Sequence, residues 1–424
     1  MSTLSAAFSY IGYIYIVYFL IIIIYGMIGK IIYQGKLWVI ALINIAGLIG
    51  LSSLVLIPFY SPYPIEVDKF LVVILIELIC AIYFAITILR IAGFLSKNLE
   101  PLKDQQILIL LFLKLVFVIT NYIAAGGEYG IFSTGSRIDF IQISPIISRL
   151  WYLDMLFDFI INVSVILSCI IYKVRLKDIL FISVVVLLSY IGGSKGASFL
   201  LLFYSILIVY IAKYKFINIS IKKYFIMIMI FIIGIPFYIY KLSQFNNVLF
   251  TEQLTLTIAR FLLSADARIM SFDPNVTKYV IDSGGGANLL SELFRGPARL
   301  FGFYTAEFPI GIYQYQYEVG TTGYVGSTNQ LSAMFSIYLD QYFLFSLLIV
   351  VGLMVIIYKF FVYNLNYGGL ISWLSLASIY WLAVTFSQGY DAYVQLAEIS
   401  IFTVLFLRLF LTMVNKQYRV KNGS

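Results

Sequence analysis

A single lysine lies in a glycine-rich turn between two strongly apolar runs. The turn GGSKGAS places Lys195 among Gly192, Gly193 and Gly196. These glycines allow the backbone to approach a ligand closely and leave its N–H groups available. The segment ASFLLLFY that follows would begin a helix, and a helix N-terminus attracts anions. The turn therefore predicts a phosphate or diphosphate site; the alternative is an ordinary lysine that extends to lipid headgroups.

Two arginines lie on an amphipathic part of a long connection between apolar runs. Apolar residues recur at helical spacing in the stretch 251–270. Arg260 and Arg268 are eight residues apart in it and therefore lie on one side of the predicted helix. Both are candidates for binding a diphosphate, whereas the alternative for each is a solvated surface cation or a headgroup contact.

Four more arginines lie in connections between apolar runs. Arg295 and Arg299 flank a Gly-Pro pair, which we expect to prevent a regular helix and to leave a loop that presents both side chains to a ligand. Arg137 and Arg149 lie in a shorter connection. Arg295, Arg299 and Arg137 join the candidate anion-binding set, with the same alternative of a surface cation.

A general base in this chain must be a carboxylate, because the sequence contains no histidine. Glu307 and Glu318 lie in an aromatic part of the long connection, and Asp340 lies near the start of a later apolar run. We take Glu307 and Asp340 as the catalytic candidates. The absence of histidine also excludes His-ligated metals, and the two cysteines lie inside apolar runs and predict neither a zinc site nor a disulfide. No metal or cofactor is therefore expected.

Several charged residues lie inside the apolar runs, where they mark a pathway or an ion pair. Asp154 and Asp158 are four residues apart and share a helix face, so that either function or a salt bridge with Lys195 or Arg149 would explain them. Further candidates for structural pairs are Glu77 with Lys114, and Asp391 and Glu398 in the last run.

Tyrosines are dense between residues 302 and 324. Tyr304, Tyr313, Tyr315 and Tyr317 are candidates for binding sugar faces, and alternation would place the last three on one side of an extended segment. The alternative is an aromatic belt at the membrane interface.

The composition is that of an all-α, polytopic integral membrane protein. Hydrophobic residues make up 62% of the chain and charged residues 11%, far from the balance of soluble domains. The formal charge of +8 follows membrane topology rather than forming a patch, so nucleic acid is not an expected partner. About eleven transmembrane helices are predicted, at 8–29, 37–59, 70–95, 106–125, 150–172, 178–191, 197–212, 223–240, 331–358, 368–387 and 391–414. The sixth and seventh are short, and are either tilted or form a broken pair that ends inside the membrane.

The distribution of lysine and arginine predicts an N-terminus outside and a C-terminus inside the membrane. The predicted organisation is an N-terminal membrane bundle (1–240), a large extracytoplasmic loop with amphipathic helices (241–330), and a C-terminal bundle with a cytoplasmic tail (331–424). Roughly ninety residues between spans is far longer than usual and indicates a functional segment.

The turn at Ser194, Lys195, Gly196, Ala197 and Leu200, followed by a large external loop, resembles the Wzy-type O-antigen polymerases, relatives of the O-antigen ligases. The segment 326–354 is similar to the part of that family that re-enters the membrane through a small and polar stretch. Lysine stands where arginine is common, so bidentate phosphate contact is lost at that position. The absence of the histidine that the ligases use favours a polymerase.

The resemblance implies a GT-C-like fold and a metal-independent glycosyltransferase of the bacterial inner membrane. Such an enzyme transfers a glycan from undecaprenyl diphosphate to a hydroxyl of another lipid-linked repeat unit at the outer face. The implied partners are the undecaprenyl-diphosphate-linked oligosaccharide, membrane lipid and a polysaccharide co-polymerase that regulates chain length. Cations beside the departing diphosphate would stabilise its growing charge.

Three other functions are consistent with a polytopic chain of this length. A flippase or transporter of lipid-linked oligosaccharide is the main alternative, although such proteins commonly have internal repeats and short loops. A membrane O-acyltransferase would be expected to use histidine. The last alternative is a structural membrane subunit without enzymatic activity.

Overall fold

The computed structural model describes most of the chain after residue 65. The described residues are 66–98, 100–124, 126–127, 145–172, 174–192, 197–214, 239–240, 243–244, 248–254, 268, 270–283, 289–300, 310–320 and 330–422. At 98, 145–150, 197–200, 214, 295–300, 315, 318–319, 387–388, 391 and 414–422 the description is of the backbone alone. The predicted spans 8–29 and 37–59, and nearly all of 223–240, lie outside these residues.

The regular elements within the described ranges are helices, in agreement with the predicted all-α class. In chain order they are α1 (Val67–Asn98), α2 (Asp104–Ala124), α3 (Pro145–Tyr172), α4 (Leu176–Ile191), α5 (Ala197–Tyr214), α6 (Pro274–Ser283), α7 (Leu289–Leu300), α8 (Ile310–Val319), α9 (Leu331–Ile337), α10 (Phe343–Asn364), α11 (Gly369–Gln388) and α12 (Tyr390–Asn422), with a 3₁₀ turn at Leu365–Tyr367 after α10.

Six of these helices are long and apolar enough to cross a membrane. They are α1, α2, α3, α10, α11 and α12. The apolar parts of five of them agree with predicted spans, and that of α10 overlaps the predicted span 331–358 only in part. Helix α5 also has an apolar stretch, Leu201–Lys213, among its described side chains. The described residues therefore form a helical membrane protein.

Helices α3 and α11 form the centre of the bundle. In the most apolar 18-residue stretch of each helix, 83% of α11 and 72% of α3 is buried inside the bundle. The corresponding share of α10 is only 17%. Ser375, Ala377 and Ser378 of α11 are fully buried, because small side chains allow neighbouring helices to approach closely. The indole N–H of Trp381 donates to the carbonyl oxygen of Met155 at 2.7 Å and joins α11 to α3. Exposed leucines and phenylalanines on α10 and α12 form the surface that lipid would cover.

The predicted span 331–358 is wrong as a single helix. Its first part is the short helix α9, in which every residue is buried, and a turn at 338–342 separates α9 from α10. Tyr342 takes a left-handed conformation with φ 53°, and the side-chain oxygen of Gln341 accepts a bond from the backbone N–H of Leu289 at 3.3 Å. A hydropathy average over this region does not reveal the turn, because the residues on both sides of it are apolar.

Two local predictions for the long connection are also wrong. Gly296 and Pro297 lie within α7, which continues through them. Leu289 and Leu293 of that helix are buried in the hydrophobic core, and this packing outweighs the preference of proline for a helix end.

The alternating tyrosines lie on a helix, α8, instead of an extended segment. At helical spacing Tyr313 and Tyr317 share a face, and Tyr315 falls on the opposite one. Most of the predicted amphipathic helix at 251–270 lies outside the described residues, although 251–254 are helical.

A buried carboxylate fixes the start of α4. Asp178 accepts bonds from the backbone N–H of Arg175 at 3.0 Å and from the Arg175 guanidinium at 2.9 and 2.7 Å. Asp178→Asn is expected to lower the melting temperature in detergent by about 2–4 °C, because an amide cannot accept both guanidinium bonds.

Asp104→Asn provides a matched control. Asp104 is 39% exposed, and its ion pairs with Lys177 and Arg175 are those of a solvated surface. Such pairs contribute little to stability, so its melting temperature should stay within about 1 °C of the wild-type value. Equal losses in the two variants would contradict the assigned difference.

Candidate functional site

Three buried side chains from distant parts of the chain meet inside the bundle. A guanidinium nitrogen of Arg268 (Nη2) lies 2.9 Å from Oε1 of Glu77, and the hydroxyl of Ser332 donates to the same oxygen at 2.6 Å. The Arg268 and Glu77 side chains are 6% and 7% exposed. We refer to Glu77, Arg268 and Ser332 as the arginine cluster. It joins α1, the connection before α6, and α9.

The residues around Arg268 are inserted between α1 and α9. Phe272 packs against Phe70 of α1, with ring centroids 6.4 Å apart. The hydroxyl oxygens of Ser271 and Ser336 are 3.3 Å apart and connect the same stretch to α9. Asp273 then accepts a bond from the backbone N–H of Asn275 and caps α6. These contacts hold the arginine at a fixed position within the apolar bundle.

An arginine in such a position is costly and is usually functional or paired. Its planar guanidinium has five N–H donors in a fork that matches phosphate oxygens. Because Glu77 balances its charge, the cluster is neutral overall. An anion that binds at this cluster would contact the Arg268 guanidinium, and a hydroxyl group next to it would contact the Glu77 carboxylate.

A second buried cluster lies between α2, α3 and α4. The ammonium nitrogen of Lys114 lies 2.7 Å from Oδ1 of Asp154 and 2.8 Å from Oδ1 of Asp158, and the Lys114 side chain is 0% exposed. The hydroxyl of Ser189 lies 2.8 Å from Oδ2 of Asp158. We refer to Lys114, Asp154, Asp158 and Ser189 as the lysine cluster.

The two clusters correct one sequence prediction and confirm another. Glu77 and Lys114 do not pair with each other, because Glu77 binds Arg268 and Lys114 binds the two aspartates. The shared face of Asp154 and Asp158 is confirmed, since both reach one ammonium group. Their suggested pairing with Arg149 or Lys195 stays a prediction, because neither side chain is among those described.

The lysine cluster also bears on the short sixth and seventh spans. Asp158 lies about 20 Å along the helix axis from Pro145, where α3 begins. Ser189, which contacts Asp158, is in the last turn of α4. The end of α4 is therefore level with the interior of α3, which favours the broken-pair interpretation of α4 and α5.

The predicted site residues fall into three groups. Those outside the described residues are Lys195, Arg260, Arg137, Glu307 and Tyr304. Those described by backbone alone are Arg295 and Arg299 on α7, Tyr315 and Glu318 on α8, Arg149 on α3 and Asp391 on α12. Those with described side chains are Arg268, Asp340, Tyr313 and Tyr317.

The described candidates do not share one environment. Arg268 is buried, whereas Asp340 is exposed on the turn after α9. Tyr313 is buried in the core, and Tyr317 is 40% exposed with its ring 5.4 Å from that of Tyr279. The structure thus brings Arg268 to Glu77 and Ser332, two residues that sequence analysis did not assign to the site. The one sequence feature that could have identified Glu77 as a site residue is its position deep inside an apolar run.

Comparisons with protein-family models, curated proteins and solved structures found no match to this chain. Among the described residues, no group of three or more histidine, cysteine, aspartate or glutamate side chains is arranged to hold a metal ion.

Proposed function

We propose that this chain is an integral-membrane glycosyltransferase that polymerises O-antigen or another surface polysaccharide. The observation that carries the proposal is the position of Arg268, which comes from the long connection between spans and binds Glu77 within the helical bundle. A polymerase of lipid-linked sugars needs a cation at the depth of the lipid diphosphate. Under this proposal Arg268, next to the short helix α9, is the cation that would bind the lipid diphosphate.

The reaction assigns separate tasks to the cationic and acidic groups. A hydroxyl of the acceptor repeat unit attacks the anomeric carbon of the donor, whose bond to the diphosphate oxygen breaks. The hydroxyl proton passes to a carboxylate, and undecaprenyl diphosphate leaves with the bonding electrons. Arg268, Lys195 and the remaining loop arginines stabilise the charge that grows on the leaving group. No metal or cofactor takes part.

Two carboxylates remain the candidates for the base. Asp340 lies on the turn directly after α9. Ser332 of α9 binds Glu77, so α9 links the turn that bears Asp340 to the arginine cluster. Glu307 is the second candidate. The tyrosines of the connection, of which Tyr317 is exposed, would bind the glycan.

The proposed setting is the bacterial inner membrane, with about eleven spans in the full chain. The N-terminus and the long connection face the periplasm, and the C-terminus faces the cytoplasm. The described helices α6, α7 and α8 support a folded connection. The proposed substrate is the undecaprenyl-diphosphate-linked oligosaccharide, and a chain-length regulator of the co-polymerase type is the proposed protein partner.

Deletion of the gene, followed by gel electrophoresis of the surface polysaccharide, tests the proposal. Loss of a polymerase should leave single repeat units transferred to the final lipid anchor. Loss of a flippase should leave none, because repeat units would not reach the outer face. Unchanged long chains would contradict both functions.

The flippase alternative is favoured by one observation, the lysine cluster in the membrane core. Buried ionisable groups at such depth are typical of ion-coupled transport pathways. The same gel separates the two functions, since single capped repeat units are compatible with the polymerase alone.

Lys195 provides a prediction specific to the glycine-rich turn. Lys195→Ala should reduce the yield of polymer at least 10-fold, because a fixed cation near the leaving group is lost. Lys195→Arg should retain most of it, since the charge remains. Polymer length and yield in a deletion strain carrying each variant give the measurement, and equal yields from the two variants would remove Lys195 from the site.

A further inference from the structure

A further arginine lies on the lipid-facing surface, where α12 meets the end of α10. Nη1 of Arg408 donates to Oδ1 of Asn364 at 3.1 Å, and Nη2 donates to the hydroxyl of Tyr367. The guanidinium carbon lies 4.1 Å from the ring centroid of Tyr367 and 5.7 Å from that of Tyr363. We refer to Arg408, Tyr363, Asn364 and Tyr367 as the surface arginine group.

The depth of this group is that of the boundary between hydrocarbon and lipid headgroups. Arg408 lies about 8 Å before Met413, the last residue of the apolar span of α12. Its partners are the last residues of the apolar span Phe343–Tyr367. The spans of α10 and α12 are also the least buried of the six, at 17% and 22%. The group therefore faces lipid rather than the interior of the bundle.

The described partners of Arg408 are neutral. They are an amide oxygen, a hydroxyl group and two aromatic rings, which stabilise a guanidinium without supplying a negative charge. The acidic residues between 343 and 424 are Asp391 and Glu398. They precede Arg408 by about 25 Å and about 15 Å along α12.

The acidic residues without a described side chain belong to other parts of the sequence. They lie in the connections 125–144 and 241–330 or at the start of α12, none of which adjoins the end of α10 in the chain; they are Glu128, Asp139, Asp266, Glu307, Glu318 and Asp391. A cation at membrane depth is usually paired. A negative group supplied from outside the chain would provide that partner.

The chemistry of the group matches a phosphate. Arginine has five N–H donors in a planar fork, and the described bonds to Asn364 and Tyr367 use two of them. These contacts also fix the plane of the guanidinium, so the remaining donors can bind two oxygens of one phosphate. Tyr363 and Tyr367, which are 60% and 49% exposed, place two hydroxyl groups beside it.

Helix α12 carries more cations beyond its apolar span. Lys416 and Arg419 follow Arg408 by eight and eleven residues, a spacing that places all three positions on one face of the helix. Lysine and arginine clustered next to a membrane span are typical of binding to anionic lipids. A zwitterionic headgroup is less suitable, because its own cation would be repelled by this face.

We propose that the surface arginine group binds the phosphate of an anionic phospholipid, in the leaflet at the C-terminal end of α12. The phosphate oxygens accept bonds from the Arg408 guanidinium and from the tyrosine hydroxyl groups. The acyl chains lie against exposed apolar side chains of α10 and α12, among them Leu405 and Leu411. One lipid thereby connects the ends of the two helices.

The proposal goes beyond the proposed polymerase function and does not depend on it. Asn364 lies about 30 Å along α10 from Phe343. The turn before Phe343 follows α9, whose Ser332 belongs to the arginine cluster. The phospholipid therefore binds at the other end of α10 and is distinct from the proposed glycan donor.

Native mass spectrometry of the full-length protein in detergent, with added phosphatidylglycerol or phosphatidylcholine, tests the proposal. The wild-type protein should retain one phosphatidylglycerol at concentrations at which phosphatidylcholine dissociates. Arg408→Gln should raise the dissociation constant for phosphatidylglycerol about 10-fold or more, because charge-assisted bonds to the phosphate are lost. Lys97→Gln removes a charge from an exposed lysine in the last turn of α1. It should change the constant by no more than about twofold, because distant surface charges are screened.

Two further variants keep the packing and test the geometry, even if Arg408→Gln is unstable. Arg408→Lys should bind with intermediate affinity, because lysine keeps the charge but lacks the planar fork. Tyr363→Phe/Tyr367→Phe keeps both rings and should weaken binding by about 3-fold to 10-fold, since both hydroxyl donors are lost. Thermal unfolding in phosphatidylcholine micelles shows whether each variant is folded.

Three results would overturn the proposal. Equal losses of phosphatidylglycerol in Arg408→Gln and Lys97→Gln would show a general attraction between the surface charges and anionic lipid. Equal retention of the two lipids by the wild-type protein would remove the preference for an anionic headgroup. Displacement of phosphatidylglycerol by inorganic phosphate at a similar concentration would replace the lipid with a soluble anion as the ligand.

Discussion

Lys114→Met is expected to destabilise the folded bundle by about 3–5 kcal/mol, the usual cost of removing one partner from a buried ion pair. Lys114 is fully buried and bonds two carboxylates from α3. Without it, those carboxylates must remain charged in an apolar interior or take up protons from solvent. Reversible unfolding in mixed micelles, followed by tryptophan fluorescence, measures the loss.

Two other variants separate the buried charge from the substitution itself. Lys97→Met makes the same change at an exposed lysine in the last turn of α1, where a surface substitution should cost no more than about 0.5 kcal/mol. Lys114→Met/Asp154→Leu/Asp158→Leu removes all three charges and should recover most of the stability. A triple variant as unstable as Lys114→Met would show that packing, rather than charge, is the cause.

The triple variant also distinguishes a structural cluster from a functional one. If the cluster only holds α2, α3 and α4 together, polymer yield should recover along with stability. If the charged groups of the cluster matter for the reaction or for transport, yield should stay low in a stably folded protein. The two measurements together therefore separate the roles.

The sequence predicted the helical class and the long spans, because a run of about 20 apolar residues is a strong local signal. It also predicted that Asp154 and Asp158 share one helix face, since they are four residues apart. Both features depend only on residues that are near each other in the chain.

The errors arose where distant contacts decide the local structure. Helix α7 includes Gly296 and Pro297, because the packing of Leu289 and Leu293 in the core stabilises it. The bond from Leu289 to Gln341 stabilises the turn that divides the apolar run at 331–358. Neither contact can be read from composition or periodicity.

The candidate site shows the same limitation. The sequence made Arg268, in a connection, a candidate for binding a diphosphate, with a solvated surface cation as the alternative. It made Glu77, in a span, a candidate partner for Lys114. Only the insertion of residues 270–273 between α1 and α9 brings Arg268 to Glu77. A charge inside an apolar run can be recognised from sequence, but its partner depends on how the helices are arranged.

Arg268→Met is expected to reduce polymer yield at least 10²-fold under the proposed function. The substitution removes the buried guanidinium that would stabilise the departing diphosphate, and loss of one such donor commonly costs a factor of 10² to 10³ in rate. It also leaves the Glu77 carboxylate without its counter-charge, with an additional loss of about 3–5 kcal/mol in stability. Polymer analysis in a deletion strain and unfolding of the purified variant measure the two effects.

Arg268→Met/Glu77→Leu separates these effects because it removes both charges together. Stability should return close to the wild-type value, since neither charge is left unpaired. Polymer yield should remain as low as in Arg268→Met, because no cation is restored. Arg268→Lys should give an intermediate yield, because lysine keeps the charge but lacks the planar fork that binds two phosphate oxygens. If the double variant instead recovers both stability and polymer, Arg268 is a structural partner of Glu77 and the leaving group must be stabilised by other residues.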